Sequence, residues 1–175
     1  MQSRKKHYLI VDGYNVIYAW DDLKKLQRIS LDEARELLID CMSELASITG
    51  EIIIVVFDSY NVKSPTVTIE NRKGIEIVFT KEYQTADSYI EKLVSNGGKN
   101  DIFKVASSDS AIQSLTFGKG ASRISSNELE FYYNTQKDRL IDKSAKKISK
   151  TNTNLVSLDE QSLRILEEIE NKFEK

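Results

Sequence analysis

The chain has 175 residues, the length of one ordinary domain, enough to bury a core without disulfides or a structural metal. Its 40% hydrophobic and 30% charged residues exclude a disordered or fibrous class and are those of a water-soluble globular protein. The net charge of −2 excludes a global field that draws the protein to nucleic acid, so any polyanion contact must rest on a local patch.

The basic start, MQSRKKHY, is followed by an apolar run too short for a signal peptide, and no stretch of about 18 apolar residues follows anywhere; the cytoplasm is the expected location. Tyr8–Val11 reads as the first strand and stops at an acid, Asp12, in "YLIVDGYN". "SLDEARELLIDCMSELASITG" reads as a helix with Ser30 and Glu33 as its capping box and Gly50 as its stop. The single cysteine, Cys41, falls on the apolar face of that helix and is expected to be a core residue in a reducing compartment.

"IIIVVFD" is β-branched throughout, as in a strand buried on both faces of a parallel sheet. "VTIENRKGIEIVFT" is polar and then strand-like, with Ile75, Ile77 and Phe79 alternating. A helix in "TADSYIEKLVSNGG", a strand in "IFKVASSD", a short helix in "SAIQSLTFGKG" and a last strand in "ASRIS" come next. Ser125 and Glu128 form a second capping box before a long helix towards Ile148. This alternation predicts an α/β fold with a mostly parallel central sheet flanked by helices. Residues 1–150 are expected to form the domain. Residues 151–175 read as a linker and a C-terminal helix, capped by Ser157 and Glu160 and docked on the domain through an apolar stripe.

Ligands of open α/β sheets collect outside the carboxyl ends of the strands. Asp12, Asp58 and Asp109 each follow a predicted strand, and Asp87 begins the helix after another. Glu91 lies one turn beyond Asp87 on the same helix face. Singly, each has a bland reading: a cap for Asp87 and Asp109, a turn former for Asp12 and Asp58, a solvated helix residue for Glu91. Jointly they bring several carboxylates to one edge without an obvious cation, and a divalent ion relieves that repulsion. Hard oxygen ligands suit Mg²⁺ or Mn²⁺, and a lone histidine, His7, argues against zinc. Such a site suits phosphate chemistry, either on a nucleic acid or on a small phosphomonoester. Tyr14 stands where a haloacid-dehalogenase-type phosphatase needs its second aspartate, and neither a P-loop nor a G-x-G-x-x-G sequence occurs.

"LIVDGYN", "VVFD", "TADSYIEKL" and "VASSD", in this order and spacing, resemble the NYN branch of the PIN-like nucleases, and within it the YacP-type family of Firmicutes; "FGKGASRISSNEL" extends the likeness. The resemblance implies a PIN-like domain and a ribosome-associated endoribonuclease that cleaves mRNA in the A site. By resemblance, Asp12, Asp58, Asp87 and Asp109 match the acidic metal positions, Glu91 a further acid, and Asn15 an asparagine that orients a ligand or the scissile phosphate. Ser88 and Tyr89 depart from the charged pair common there. The implied reaction is hydrolysis by a metal-activated water, leaving a 5′-phosphate and a 3′-hydroxyl. A non-catalytic ribosome- or RNA-binding module is the alternative outside enzymology.

For such partners, Lys143, Lys146, Lys147 and Lys150 share one helix face and offer phosphate contacts, with Lys119 and Arg123 nearer the acids and Arg72 with Lys73 a further pair. Tyr14 and Tyr60 adjoin the acids and are candidates for base stacking, whereas Tyr18 and Trp20 are expected in the core.

Overall fold

In the computed structural model, which describes residues 5–59, 65–98, 100–110, 112 and 120–142, β1 (His7–Asp12) lies inside a six-stranded sheet. It pairs in parallel with β2 (Ile52–Phe57) on one side and β5 (Ile102–Ala106) on the other. Beyond β2 come β4 (Ile75–Phe79), also parallel, and β3 (Thr68–Arg72), antiparallel at the edge; β6 (Ser122–Ile124) closes the other edge in parallel with β5. The expected α/β class with a mostly parallel sheet is what the chain adopts. It divides into two compact units, Met1–Gln136 and Lys137–Lys175; the sheet and the site below belong to the first.

Residues of the inner strands alternate between two cores. Leu9, Val11, Ile53, Val55 and Phe57 face a layer built on α3 (Leu31–Thr49) with Leu38, Met42 and Leu45. Ile10, Ile54, Val56 and Val78 face Ala86, Ile90 and Val94 of α4 (Ala86–Ser95). Burial on both faces is why these strands read as unbroken apolar runs rather than as alternation.

Three elements were not expected from the sequence. α1 (Gly13–Ala19) and α2 (Asp21–Gln27) are seven-residue helices placed between the first strand and the long helix. Two turns each is too short for a 3.6-residue period to declare itself. β3 is an exposed edge strand, so neither of its faces carries an apolar pattern; it is fixed by a tight hairpin in which Lys73 and Gly74 both take positive φ, 55° and 80°. That turn lies at the amino end of β4, away from the acids. There Arg72 pairs with Glu36 at 2.7 Å and Lys73 with Asp40, tying the hairpin to α3. The Arg72–Lys73 pair therefore braces the fold rather than the site.

Both described capping boxes form at least one bond. The Ser30 hydroxyl accepts from the Glu33 amide at 3.2 Å, and Ser125 and Glu128 exchange two bonds at 3.2 and 2.7 Å before α5, the helix that opens at residue 126. Ser157 and Glu160 lie outside the described residues. No described helix is long and apolar enough to cross a membrane.

Candidate active site

The chain runs from β1 to β2 on one side of the first strand and returns through β5 on the other, which makes β1/β5 the switch point of the sheet. The register pairs Val11 with Ala106, so the next residues, Asp12 and Ser107, emerge side by side at the carboxyl edge. Phe57 pairs with Phe79 one strand further out, and Asp58 follows it directly.

Asp12 is only 8% exposed. As the N-cap of α1 it accepts the Asn15 amide at 3.3 Å, and the Ser107 hydroxyl donates to its other oxygen at 3.3 Å. Burial pushes its carboxyl up from 3.8 to about 6; those bonds oppose the rise and the charges of Asp87 and Asp109 add to it. Asp87 is raised in the same direction, first by burial and then by Asp109 and Asp58. The cap of α4 is Thr85, whose hydroxyl accepts the Ser88 amide at 3.2 Å, so Asp87 is released from that role.

Asp12, Asp58 and Asp87 line one cavity of 480 Å³ together with Tyr14, Asn15, Tyr18, Leu31 and Ala86. Among the described residues, no lysine, arginine or histidine is in that lining. Asp109 stands beside it, its amide donating to the Ser107 hydroxyl at 3.1 Å, and its charge reaches both Asp12 and Asp87. Glu91 is half-buried on α4 and is not part of the lining. Among the described residues, no three acids converge closely enough to enclose a metal ion by themselves. The donor set nevertheless fits a hard divalent cation: carboxylate oxygens only, mutually repelling, in an open cavity with room for the waters that Mg²⁺ retains.

The family model of the YacP-like NYN domain matches residues 9–171. The chain belongs to that family. It is 41% identical to the "Uncharacterized protein YacP" of Bacillus subtilis (strain 168) over 162 residues, 91% of this chain and 94% of that one. It is also similar to the crystal structure of Rae1 (YacP) from Bacillus subtilis, at 40% identity and a TM-score of 0.69, covering 91% of this chain and 92% of the other. A crystal structure of a tryptophan-to-leucine mutant of the same Rae1 gives a TM-score of 0.68 at the same identity, over 82% and 84%. The fold and the family are thus those of a nuclease-like NYN domain.

In this YacP-like NYN domain the side-chain oxygen of the asparagine is engaged within the protein. Asn15 Oδ1 accepts from the Ser108 amide at 2.9 Å and from the Ser126 hydroxyl at 2.6 Å. The Ser126 amide in turn donates to the Ser108 hydroxyl at 3.2 Å, and the Trp20 indole donates to the Ser126 carbonyl at 2.7 Å. Asn15 is therefore a clasp between α1, the loop carrying Asp109 and the start of α5, with only its NH₂ left for the cavity. Ser107 and Ser126 are fully buried and belong to this site, yet sequence reading passed them over. The available signal was the serine pair preceding Asp109 and the one after β6, both polar where a core strand should end.

Tyr14 lines the cavity as expected, its hydroxyl accepting from Arg35 at 2.9 Å. Trp20 is buried, but Tyr18 is 52% exposed and also lines the cavity, which corrects its placement in the core. Arg123 is exposed on β6, outside the cavity lining. Tyr60, Lys119, Lys143, Lys146, Lys147 and Lys150 lie outside the described residues.

Gly13 lets α1 start immediately after Asp12. A Cβ there would lie 2.3 and 2.5 Å from two ring carbons of Phe57, itself fully buried. Gly13→Ala is expected to destabilise the protein by about 1–3 kcal/mol through overpacking. Urea unfolding reads this directly; an unchanged midpoint would mean that the ring moves aside freely.

Proposed function

We propose that this chain is a divalent-metal-dependent endoribonuclease that hydrolyses mRNA phosphodiester bonds, acting in the ribosomal A site in the cytoplasm. The observation that carries the catalytic part is the cavity at the switch point: three carboxylates at β1, β2 and α4, no cationic side chain among the described residues of its lining, and an Asp12 whose proton affinity is raised by burial and by its acidic neighbours. The ribosome and the A site are carried by the resemblance to the YacP-type family.

Asp12, Asp87 and Asp58 would hold Mg²⁺ or Mn²⁺, with Asp109 beside them and Glu91 as a further acid one turn along α4. Bound there, the cation would polarise a phosphoryl oxygen and lower the pKa of an attacking water, giving a 5′-phosphate and a 3′-hydroxyl. The protein's part is positional. Ser107 holds one oxygen of Asp12, the Asn15 amide the other, and the Asn15 clasp fixes the loop that carries Asp109. Lys119, Arg123 and the lysines at 143, 146, 147 and 150 are the basic residues proposed for phosphate contacts.

The deciding experiment adds wild-type and Asp12→Asn protein to translating ribosomes with Mg²⁺ and maps new mRNA 5′ ends. A ribosome-free RNA, with and without EDTA, and a small phosphomonoester run alongside. New 5′-phosphate ends made by wild type alone are expected. If both proteins bind ribosomes and neither cuts, the chain is a binding module; if only the phosphomonoester is consumed, it is a phosphatase.

A further inference from the structure

Besides its carboxylates, the cavity is lined by two aromatic rings, Tyr14 and Tyr18. Tyr14 and Tyr18 are four residues apart on α1, so both face the same way, while Val16 and Ile17 between them are completely buried. The two rings lie nearly parallel, 27° apart with centroids separated by 6.3 Å. Tyr14 is the inner, fixed ring. Its hydroxyl is held by Arg35, and its edge packs on Phe57 at 5.3 Å and 62°. Tyr18 is the outer ring, half exposed, and its hydroxyl has no hydrogen-bond partner among the described residues.

We infer that Tyr18 is a stacking platform for one unpaired nucleobase of the strand whose phosphate would be held through the divalent cation proposed at Asp12, Asp58 and Asp87. The inference rests on the nuclease reading above and extends it to a base subsite. A ring backed by a second, immobilised ring has little freedom left to lose on binding, which favours a flat ligand. Every base offers a π-face, so the site selects single strands rather than sequences. The 480 Å³ of the cavity, shared between acidic and aromatic side chains, is within the range of small-ligand sites; the aromatic part suits the planar half of a nucleotide, and the acidic part would take its phosphate only with a divalent cation between them. A paired base is stacked on both sides and offers no free face, so duplex RNA would not engage Tyr18.

The test uses the full chain and short single-stranded RNAs carrying 2-aminopurine at one position, moved along the strand, with Ca²⁺ present to neutralise the carboxylates. Wild type is expected to quench the fluorophore at one position. Tyr18→Ala should lose that quenching and bind about 5- to 150-fold more weakly, the span that loss of one base–aromatic stack implies. Tyr18→Phe should behave as wild type, because stacking does not use the hydroxyl. Circular dichroism confirms folding, and Leu31→Ala, in the same lining, controls for a general change of shape. Quenching that survives Tyr18→Ala, or no quenching at any position with wild type, overturns the inference. Tyr18-dependent quenching without cleavage in the experiment of the preceding section would overturn the nuclease reading and leave the subsite standing.

Discussion

Replacing Asp12 by asparagine will abolish RNA cleavage and, in metal-free buffer at neutral pH, make the protein more stable. The loss of activity should be on the order of 10³-fold, since on the proposed function the variant removes a buried charge placed where the cation and the reacting phosphate would meet. The gain in stability follows from linkage. Folding raises the Asp12 pKa from 3.8 to about 6, so the folded state binds this proton more tightly than the unfolded chain does. The associated stabilisation is complete below the unfolded value and is lost as pH rises through the folded one. Between those limits wild type should lose about 3 kcal/mol that the variant keeps, at about 1.4 kcal/mol per pKa unit. Asparagine has the same shape, its single Oδ1 can still accept from the Asn15 amide, and its NH₂ can donate to the Ser107 hydroxyl in place of the bond that Asp12 accepts, so no cavity offsets the gain.

Urea unfolding in EDTA at pH 4.5 and 7.5 measures this. The gap between the two proteins should narrow to about 1 kcal/mol at pH 4.5, which still lies above the unfolded pKa, with D12N further ahead at pH 7.5. Adding Mg²⁺ at pH 7.5 should raise wild type and leave D12N largely unmoved, because a cation replaces the proton only where a carboxylate is present. A variant less stable than wild type at pH 7.5 would mean that Asp12 is a structural cap whose charge is already compensated, and the metal reading would lose its main support.

The acids were legible because strand ends are legible. "IIIVVFD" and "YLIVD" can only be buried strands followed by a polar break, and a parallel sheet sends all such breaks to one edge. Asp87 lies at that edge as its place at the start of a helix after a strand predicts, although its own spacing does not show that Thr85 takes the cap. What escaped were roles set by pairing across the chain. Asn15 meets Ser126 across 111 residues, and nothing local distinguishes that serine from an ordinary polar residue near a helix start. Tyr18 and Trp20 look alike in an apolar stretch. Their fates diverge because the short α1 ends between them, turning the indole towards Tyr133 and the phenol towards the cavity. The β3 edge strand escaped for the opposite reason: exposed on both faces, it owes its existence to the hairpin turn and the ladder with β4 rather than to any pattern of its own.

The Asn15 clasp gives the second large effect. Asn15→Ala leaves the buried Ser126 hydroxyl and the Ser108 amide without their shared acceptor, a desolvation penalty of about 1–3 kcal/mol. The loop it releases carries Asp109, and a displacement of about 1 Å at a reacting centre costs about 10²-fold in rate. The expected result is therefore a drop in kcat of that size with KM little changed, because the aromatic wall and the remaining carboxylates still bind the strand. Ser126→Ala should reproduce the kcat loss in weaker form, whereas Ser126→Thr, which keeps the hydroxyl, should restore it. If Asn15 instead contacts the substrate phosphate directly through its NH₂, KM will rise with Asn15→Ala and neither Ser126 variant will follow it. That pattern separates a residue that positions another acid from one that holds the RNA.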